Sequence, residues 1–398
     1  MRDKFMAFAL CIVGSMTPFC GAGVGGEGAE VERLARGNAA FAVDFYHELR
    51  ASEGNIFFSP LSVSSALAMT YAGARENTAK EMKKALHFTL GPAQLHSTFK
   101  SLCRELKTNA REGGHKLNIA NGLCLTGGDV SGNFKTLLTD NYDAEVFSGG
   151  LERINAWVKE KTEGKIQKIL EGLSDDSVCV ILNAIYFKGD WESRFDKQRT
   201  FEAPFKVSRL KEVTVPMMYQ QGDFRVVERE DFQAVAIPYV RKSLSMIVLL
   251  PRQVEGLGTL ERQLTAKGLQ RWLSQLDGSR ARGYELFLPR LRMATEYDLA
   301  PACEALGMKD AFVREKADFR GMGWPKGNLW IAQIKHKACV EVNEEGTEAA
   351  GVTDTGMDGT PHYPVFRADH PFLFLVRDAA TGSILFMGRV SDPTKAKG

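Results

Sequence analysis

His336-Lys-Ala-Cys-Val-Glu-Val-Asn-Glu-Glu-Gly346-Thr-Glu-Ala-Ala-Gly-Val-Thr-Asp-Thr-Gly-Met-Asp-Gly359 is the stretch from which the rest of the chain is best read. Its first third is a strand with one buried face. His336, Ala338, Val340 and Val342 alternate with Lys335, Lys337, Glu341 and Asn343, and successive side chains of a strand point to opposite faces. Glu344-Glu345-Gly346 breaks that pattern, and from Thr347 a second alternation begins. Thr347, Ala349, Gly351, Thr353, Thr355, Met357 and Gly359 are uncharged, while Glu348, Asp354 and Asp358 share the opposite parity. A segment that must at times become a strand over a core has reason to keep charge off one face, because a charge there would be buried without a partner. Small residues on that face would let it slide between existing strands. The alternative is an acidic surface loop whose charge parity is accidental.

Working outward, helical periodicity comes first along the chain. Val31, Leu34, Phe41, Phe45 and Leu49 mark residues 29–50 as an amphipathic helix, and similar patterns occupy 61–73, 76–87, 92–109 and 152–170. The second half reads as strands, at Val178–Phe187, Ser243–Leu250, Tyr284–Leu291, Ile331–Val342 and Phe372–Val376. Val178-Cys-Val-Ile-Leu182 is apolar at successive positions, which implies a strand covered on both faces. Phe372–Val376 and Ile384–Met387 flank a turn at Asp378–Gly382 and make a hairpin. Helices followed by strands predict an α+β architecture. No linker or repeat divides residues 29–393, so residues 23–398 are expected to form one domain.

Composition narrows the function classes. The chain has 398 residues, 44% hydrophobic and 25% charged, with 51 basic and 49 acidic side chains. A net charge of +2 gives no bulk field for nucleic acid. Residues 1–22 read as a secretory signal: Arg2 and Lys4 precede an apolar run from Phe5 to Met16, and Cys20-Gly-Ala22 offers a cleavage site. That run is too short to span a bilayer, so no membrane anchorage is expected. An intracellular protein remains open if the segment is not removed. After that cleavage Cys103, Cys124, Cys179, Cys303 and Cys339 remain, an odd number without C-x-x-C spacing. This argues against a disulfide framework or a zinc site. No N-x-[ST] sequon occurs.

Motifs of enzyme chemistry lack their context. Gly21-Ala-Gly-Val-Gly-Gly26 fits G-x-G-x-x-G but follows the apolar leader instead of a strand. Ser97-Thr-Phe-Lys100 fits S-x-x-K inside a helical pattern, with no K-T-G downstream. No G-x-S-x-G, H-E-x-x-H or P-loop is present. No enzyme activity, metal or cofactor is expected.

The segment Glu341-Val-Asn-Glu-Glu-Gly-Thr-Glu-Ala-Ala350 resembles the hinge of the serpin family. So do Asn55-Ile-Phe-Phe-Ser-Pro-Leu-Ser62, Asn183-Ala-Ile-Tyr-Phe-Lys-Gly-Asp-Trp191, His370-Pro-Phe-Leu-Phe374 and Leu385-Phe-Met-Gly-Arg-Val390, which are similar to the family's other signature stretches and stand in family order. The resemblance implies eight or nine helices on three β-sheets, with a reactive-centre loop at about 344–366. It implies an inhibitor that a serine or cysteine protease cleaves to an acyl-enzyme, after which the freed loop inserts as a central strand and distorts the protease. A non-inhibitory carrier or chaperone on the same fold is the alternative.

Residue by residue, the resemblance makes Glu344, Glu345, Gly346, Thr347, Glu348, Ala349, Ala350 and Gly351 the hinge. Loop spacing puts the reactive bond at Thr360-Pro361, with Met357-Asp358 as the alternative because proline after the bond is stiff and lacks an N–H. Ser59, Ser62, Asn183 and His336 match a buried polar cluster behind the sheet that opens. Glu344 and Arg290 match an ion pair at the base of the loop, with Trp191 nearby. Glu145–Ile154 is about seven residues shorter than the family pattern, in a region that normally supplies an edge strand of the main sheet. Lys100, Arg104, Lys107 and Arg111 share one helix face, and that helix resembles one that binds heparin in some serpins; the alternative is a solvated face. A monomer whose partner is the target protease is expected.

Overall fold

The structure, a computed structural model, describes residues 24–164, 166–173, 179–325, 328–345 and 363–395. In chain order its elements are α1 (Val24–Leu49), β1 (Ile56–Phe58), α2 (Pro60–Gly73), α3 (Glu76–Ala85), α4 (Pro92–Glu112), β2 (Lys116–Leu125), α5 (Gly132–Tyr142), β3 (Ala144–Ser148), α6 (Leu151–Lys161) and β4 (Cys179–Lys188). They continue with β5 (Phe201–Ser208), β6 (Lys211–Glu228), β7 (Phe232–Pro238), β8 (Leu244–Pro251), α7 (Leu257–Gln263), α8 (Ala266–Gly278), β9 (Arg282–Pro289), β10 (Leu291–Asp298), α9 (Ala300–Ala305), β11 (Ile334–Val342), β12 (Val365–Arg367), β13 (Phe372–Asp378) and β14 (Ile384–Val390). Among the described residues this is an α+β fold of nine α-helices and fourteen strands.

Strand pairing divides into a five-stranded sheet, β10-β11-β4-β2-β3, and a nine-stranded network. The network is two sheets that share β6. Met217–Phe224 of that long strand pairs with β9, whereas Arg225–Glu228 pairs with β7. The three sheets that the resemblance implies are thus the five-stranded sheet and the two that meet in β6.

Burial follows the periodicities. Val31, Leu34, Phe41, Phe45 and Leu49 of α1 are all buried in the main core. On β4, Ile181 and Ile185 face that core, while Val180, Leu182 and Ala184 face a second cluster with Ile154, Trp157 and Val158 of α6. Both faces of β4 are therefore covered, which removes water from the centre of the five-stranded sheet.

One expectation needs correction. The helix expected over 152–170 stops at Lys161, because Glu163 and Gly164 adopt left-handed backbone at φ +50° and +76°. The Thr162 hydroxyl completes the stop by accepting the Ile166 N–H at 3.0 Å. The region around Glu145–Ile154, though short, keeps an edge strand: β3 pairs in parallel with β2 from Asn121–Ala144 to Leu125–Ser148. Gly149 and Gly150 then turn the chain into α6, whose Trp157 ring lies against Gly122, where a Cβ would come within 2.8 Å.

Candidate functional site

The strand that leads toward the 346–362 segment is β11, and its neighbours define the site. On one side β10 pairs antiparallel with β11 from Leu291–Val342 to Asp298–Lys335, all of β11 but its first residue. On the other side β4 pairs in parallel, and only from Ile334–Ile181 to Cys339–Tyr186. Among the described residues Val340, Glu341 and Val342 thus have a ladder partner on the β10 side alone. The β4–β11 seam is open at the end from which the chain leaves.

That end is held by a group of specific contacts. Arg290, between β9 and β10, donates from Nε to both carboxylate oxygens of Glu344 at 2.7 and 2.8 Å. The Thr200 hydroxyl donates to the same carboxylate. Glu344 is only 2% exposed. Burial raises its pKa, but the bonds from Arg290 and Thr200 outweigh that and hold it below the ordinary carboxylate value. Glu345 forms an ion pair with Lys197, and Asn343 Oδ1 accepts the Glu345 N–H at 3.1 Å. Trp191 donates from Nε1 to the Asn343 carbonyl at 2.8 Å and stacks on Tyr239 with ring centroids 4.5 Å apart.

Midway along the seam lies a buried polar group. His336 of β11 stands opposite Asn183 of β4 in the ladder. The N-terminus of α2 reaches both: the Ser59 N–H donates to His336 Nε2 at 3.1 Å, and the Ser62 hydroxyl donates to Asn183 Oδ1. Ser59 also caps α2 by accepting the Ser62 N–H, with Pro60 in the first turn. Because Nε2 accepts, the imidazole is neutral with its proton on Nδ1, and among the described residues Nδ1 is buried without a hydrogen-bond partner. Burial pushes the His336 pKa down to about 4. Asn183 Nδ2 donates onward to Asn121 Oδ1 at 2.8 Å, and Asn121 Nδ2 to the Tyr142 carbonyl at 2.9 Å. One helix end therefore straddles both strands of the seam, and parting them must break a bond on one side or the other.

The structure brings together Ser59, Ser62, Asn183 and His336 as one cluster, and Arg290, Glu344, Glu345 and Trp191 as another. Gly346, Thr347, Glu348, Ala349, Ala350, Gly351, both candidate reactive bonds (Thr360-Pro361 and Met357-Asp358) and residues 1–22 lie outside the described residues. Sequence reading missed Asn121, Thr200, Lys197 and Tyr239. Asn121 had a signal: it is the polar member of the apolar parity Leu117, Ile119, Leu123 and Leu125. The other three come from remote chain positions with no local pattern.

Lys100, Arg104, Lys107 and Arg111 lie along α4, beside a groove of about 430 Å³ shared with the end of α5. Lys107 pairs with Asp143 at 2.8 Å and Arg104 with Glu27 at 3.6 Å, so half of the basic row is already compensated. Among the described residues, no group of three or more His, Cys, Asp or Glu side chains could hold a metal ion, and no helix is long and apolar enough to cross a membrane.

Comparison with known proteins gives a consistent result. A model of the serpin (serine protease inhibitor) family matches residues 36–393. Serpin B6 of Macaca fascicularis is 40% identical over 381 residues, covering 90% of this chain and 99% of the relative. Leukocyte elastase inhibitor of Equus caballus is 39% identical over 387 residues, covering 91% of this chain and all of the relative. Among solved structures, human thyroxine-binding globulin superposes with a TM-score of 0.83 at 28% identity, over 92% of this chain and all of that one. Uncleaved ovalbumin superposes at 0.82 with 30% identity, over 90% of this chain and all of that one.

Proposed function

This chain belongs to the serpin family, and from that membership we propose that it inhibits a serine or cysteine endopeptidase as a suicide substrate. The observation that carries the reading is the β4–β11 seam. A chain that leaves the end of β11, turns at Glu345–Gly346 and runs back between β11 and β4 would be antiparallel to both. One parallel ladder would be exchanged for two antiparallel ones, which are slightly more stable per residue. The uncharged parity beginning at Thr347 supplies a face that can be buried there without unpaired charge. Arg290, Thr200, Lys197 and Trp191 hold the base of the loop at the open end of the seam until cleavage frees it. In this account no residue of the chain is a catalyst; the protease supplies the nucleophile, and the chain supplies a bond and a place for the loop to go. Relatives named leukocyte elastase inhibitor support a protease as the partner.

Secretion is part of the proposal and rests on the leader-like residues 1–22; N-terminal sequencing of protein recovered from culture medium tests it. Binding of a heparin-like polyanion along α4 is a second partner reading, supported by the four basic residues on one helix face.

The direct test mixes the full chain with elastase-like, trypsin-like, subtilisin-like and papain-like proteases and examines the products on a denaturing gel. The reading predicts a covalent complex together with a released C-terminal peptide. If the bond is Thr360-Pro361, that peptide is residues 361–398. Cleavage without any complex would overturn inhibition and favour a carrier role, of the kind named by thyroxine-binding globulin.

A further inference from the structure

The chain after the loop returns to the body at Tyr363, and Gly283 receives it. A Cβ on Gly283 would lie 2.2 Å from Tyr363 Cε1 and 2.5 Å from Cδ1. The tyrosine ring therefore rests directly on the strand backbone. Glycine inside a strand is unfavourable, and at this position the backbone does not demand it, because Gly283 is not among the glycines with positive φ. What requires glycine here is the close approach of the ring.

The rest of the foot is thin. The Glu285 N–H donates to the Pro364 carbonyl at 2.9 Å, and β12 pairs in parallel with β9 over three residues, Val365–Glu285 to Arg367–Phe287. Val365 is 45% exposed, whereas Phe366 is fully buried and the Arg367 guanidinium lies 3.6 Å from the Phe287 ring centroid. A three-residue edge strand in a parallel pairing has little stability of its own. Without the ring on Gly283, Pro364 and Val365 would be held by backbone pairing alone, and the first side-chain anchor would become Phe366. The loop between its two anchors would then lengthen by three residues, or roughly 10 Å of extended chain.

We propose that Tyr363 and Gly283 form a clasp that fixes the C-terminal foot of the loop, and that Tyr363 is thereby a positioning residue for the reaction with a protease. This rests on the inhibitory reading above and deepens it. The N-terminal foot is fixed by Glu344 and Glu345, the C-terminal foot by Tyr363, and the candidate bonds lie between. A reacting bond must be offered in a near-attack geometry, and slack in either foot dilutes that geometry.

The test uses Tyr363→Ala, Tyr363→Phe and Gly283→Ala in the full chain. Amide hydrogen exchange of residues 365–367 should accelerate at least about tenfold in Tyr363→Ala and Gly283→Ala and remain near wild type in Tyr363→Phe. The second-order rate of covalent complex formation should fall about tenfold or more in the same two variants and recover in Tyr363→Phe, with the thermal midpoint little changed. Unchanged exchange in both variants would overturn the clasp. Faster exchange with a wild-type rate of complex formation would overturn the positioning role. If the wild-type chain forms no complex with any protease, it is the inhibitory reading that fails, and the exchange data still decide on the clasp.

Discussion

One carboxyl group, that of Glu344, and one imidazole, that of His336, carry most of the chemistry at the seam, and each makes a prediction. Glu344 is buried against Arg290, so Arg290→Ala leaves a carboxylate with only Thr200 and the backbone to satisfy it. The expected cost is about 1–3 kcal/mol, read as a lowered thermal midpoint. Because the folded pKa of Glu344 lies below 4.5, its contribution is fully present above that pH and is lost as pH falls through the lowered value. Its loss therefore belongs to the acid side, and Arg290→Ala should weaken the protein at neutral pH and narrow its difference from wild type in acid. His336 acts over a different window. Below its unfolded pKa of 6.5 the unfolded chain takes up a proton that the folded imidazole refuses until about pH 4. Stability should fall across that interval by roughly 1.4 kcal/mol per pH unit for each such group. His96, also pushed down to about 4 by burial, shares the window. Urea unfolding at pH 7, 6 and 5 should show a shallower slope in His336→Gln than in wild type by about one proton. Equal slopes would mean that His336 already takes its proton in the folded state.

At the scale of elements, the parity of residues 347–359 and the ladder around β11 make one claim from two directions. Thr347→Arg places a charge on the face that is to be buried first. That variant should be cleaved at the wild-type bond yet give little covalent complex, as judged by the ratio of complex to cleaved chain on a denaturing gel. Gly122→Ala tests the outer cover of the same sheet: its methyl would press on Trp157 and push α6 off β2, with an expected loss of about 1–3 kcal/mol in stability. The long periodic elements were legible in the sequence because their signal is carried within each element: α1 by its buried stripe, β4 by the apolar run that ends at Leu182, β11 by strict alternation. The end of α6 was not legible from apolar spacing, which continues through Ile166, Ile169 and Leu170. The stop comes from two left-handed residues and a threonine hydroxyl, and those same apolar residues pack on the sheet without being helical. Likewise β3 survives in a shortened segment because five residues suffice to pair with β2.

For the whole molecule, the legible part was the half of the site that recurs as local sequence: Ser59, Ser62, Asn183 and His336, with Arg290 and Glu344. The partners that complete it, Thr200, Lys197 and Tyr239, arrive from elements whose positions only the fold determines. The fold also offers the inserting strand of the proposed mechanism a place to go. Of the two parallel pairings in its five-stranded sheet, β2–β3 lies at the edge, whereas β4–β11 is internal, bridged midway by the N-terminus of α2 and open at the end from which β11 leaves. Insertion of about a dozen residues there would add on the order of ten to twenty ladder hydrogen bonds at about 1 kcal/mol each. Cleavage of the loop should therefore raise the thermal midpoint by more than about ten degrees. A midpoint that stays in place after complete cleavage would mean that the loop remains outside the sheet.

The most direct test of loop insertion is amide hydrogen exchange of residues 347–358 in chain whose loop has been cut once by a protease. The account predicts that this segment becomes as slowly exchanging as β4 and β11 on either side, and that the Thr347→Arg variant, cut at the same bond, keeps it fast. Rapid exchange of residues 347–358 in the cleaved wild-type chain would contradict it.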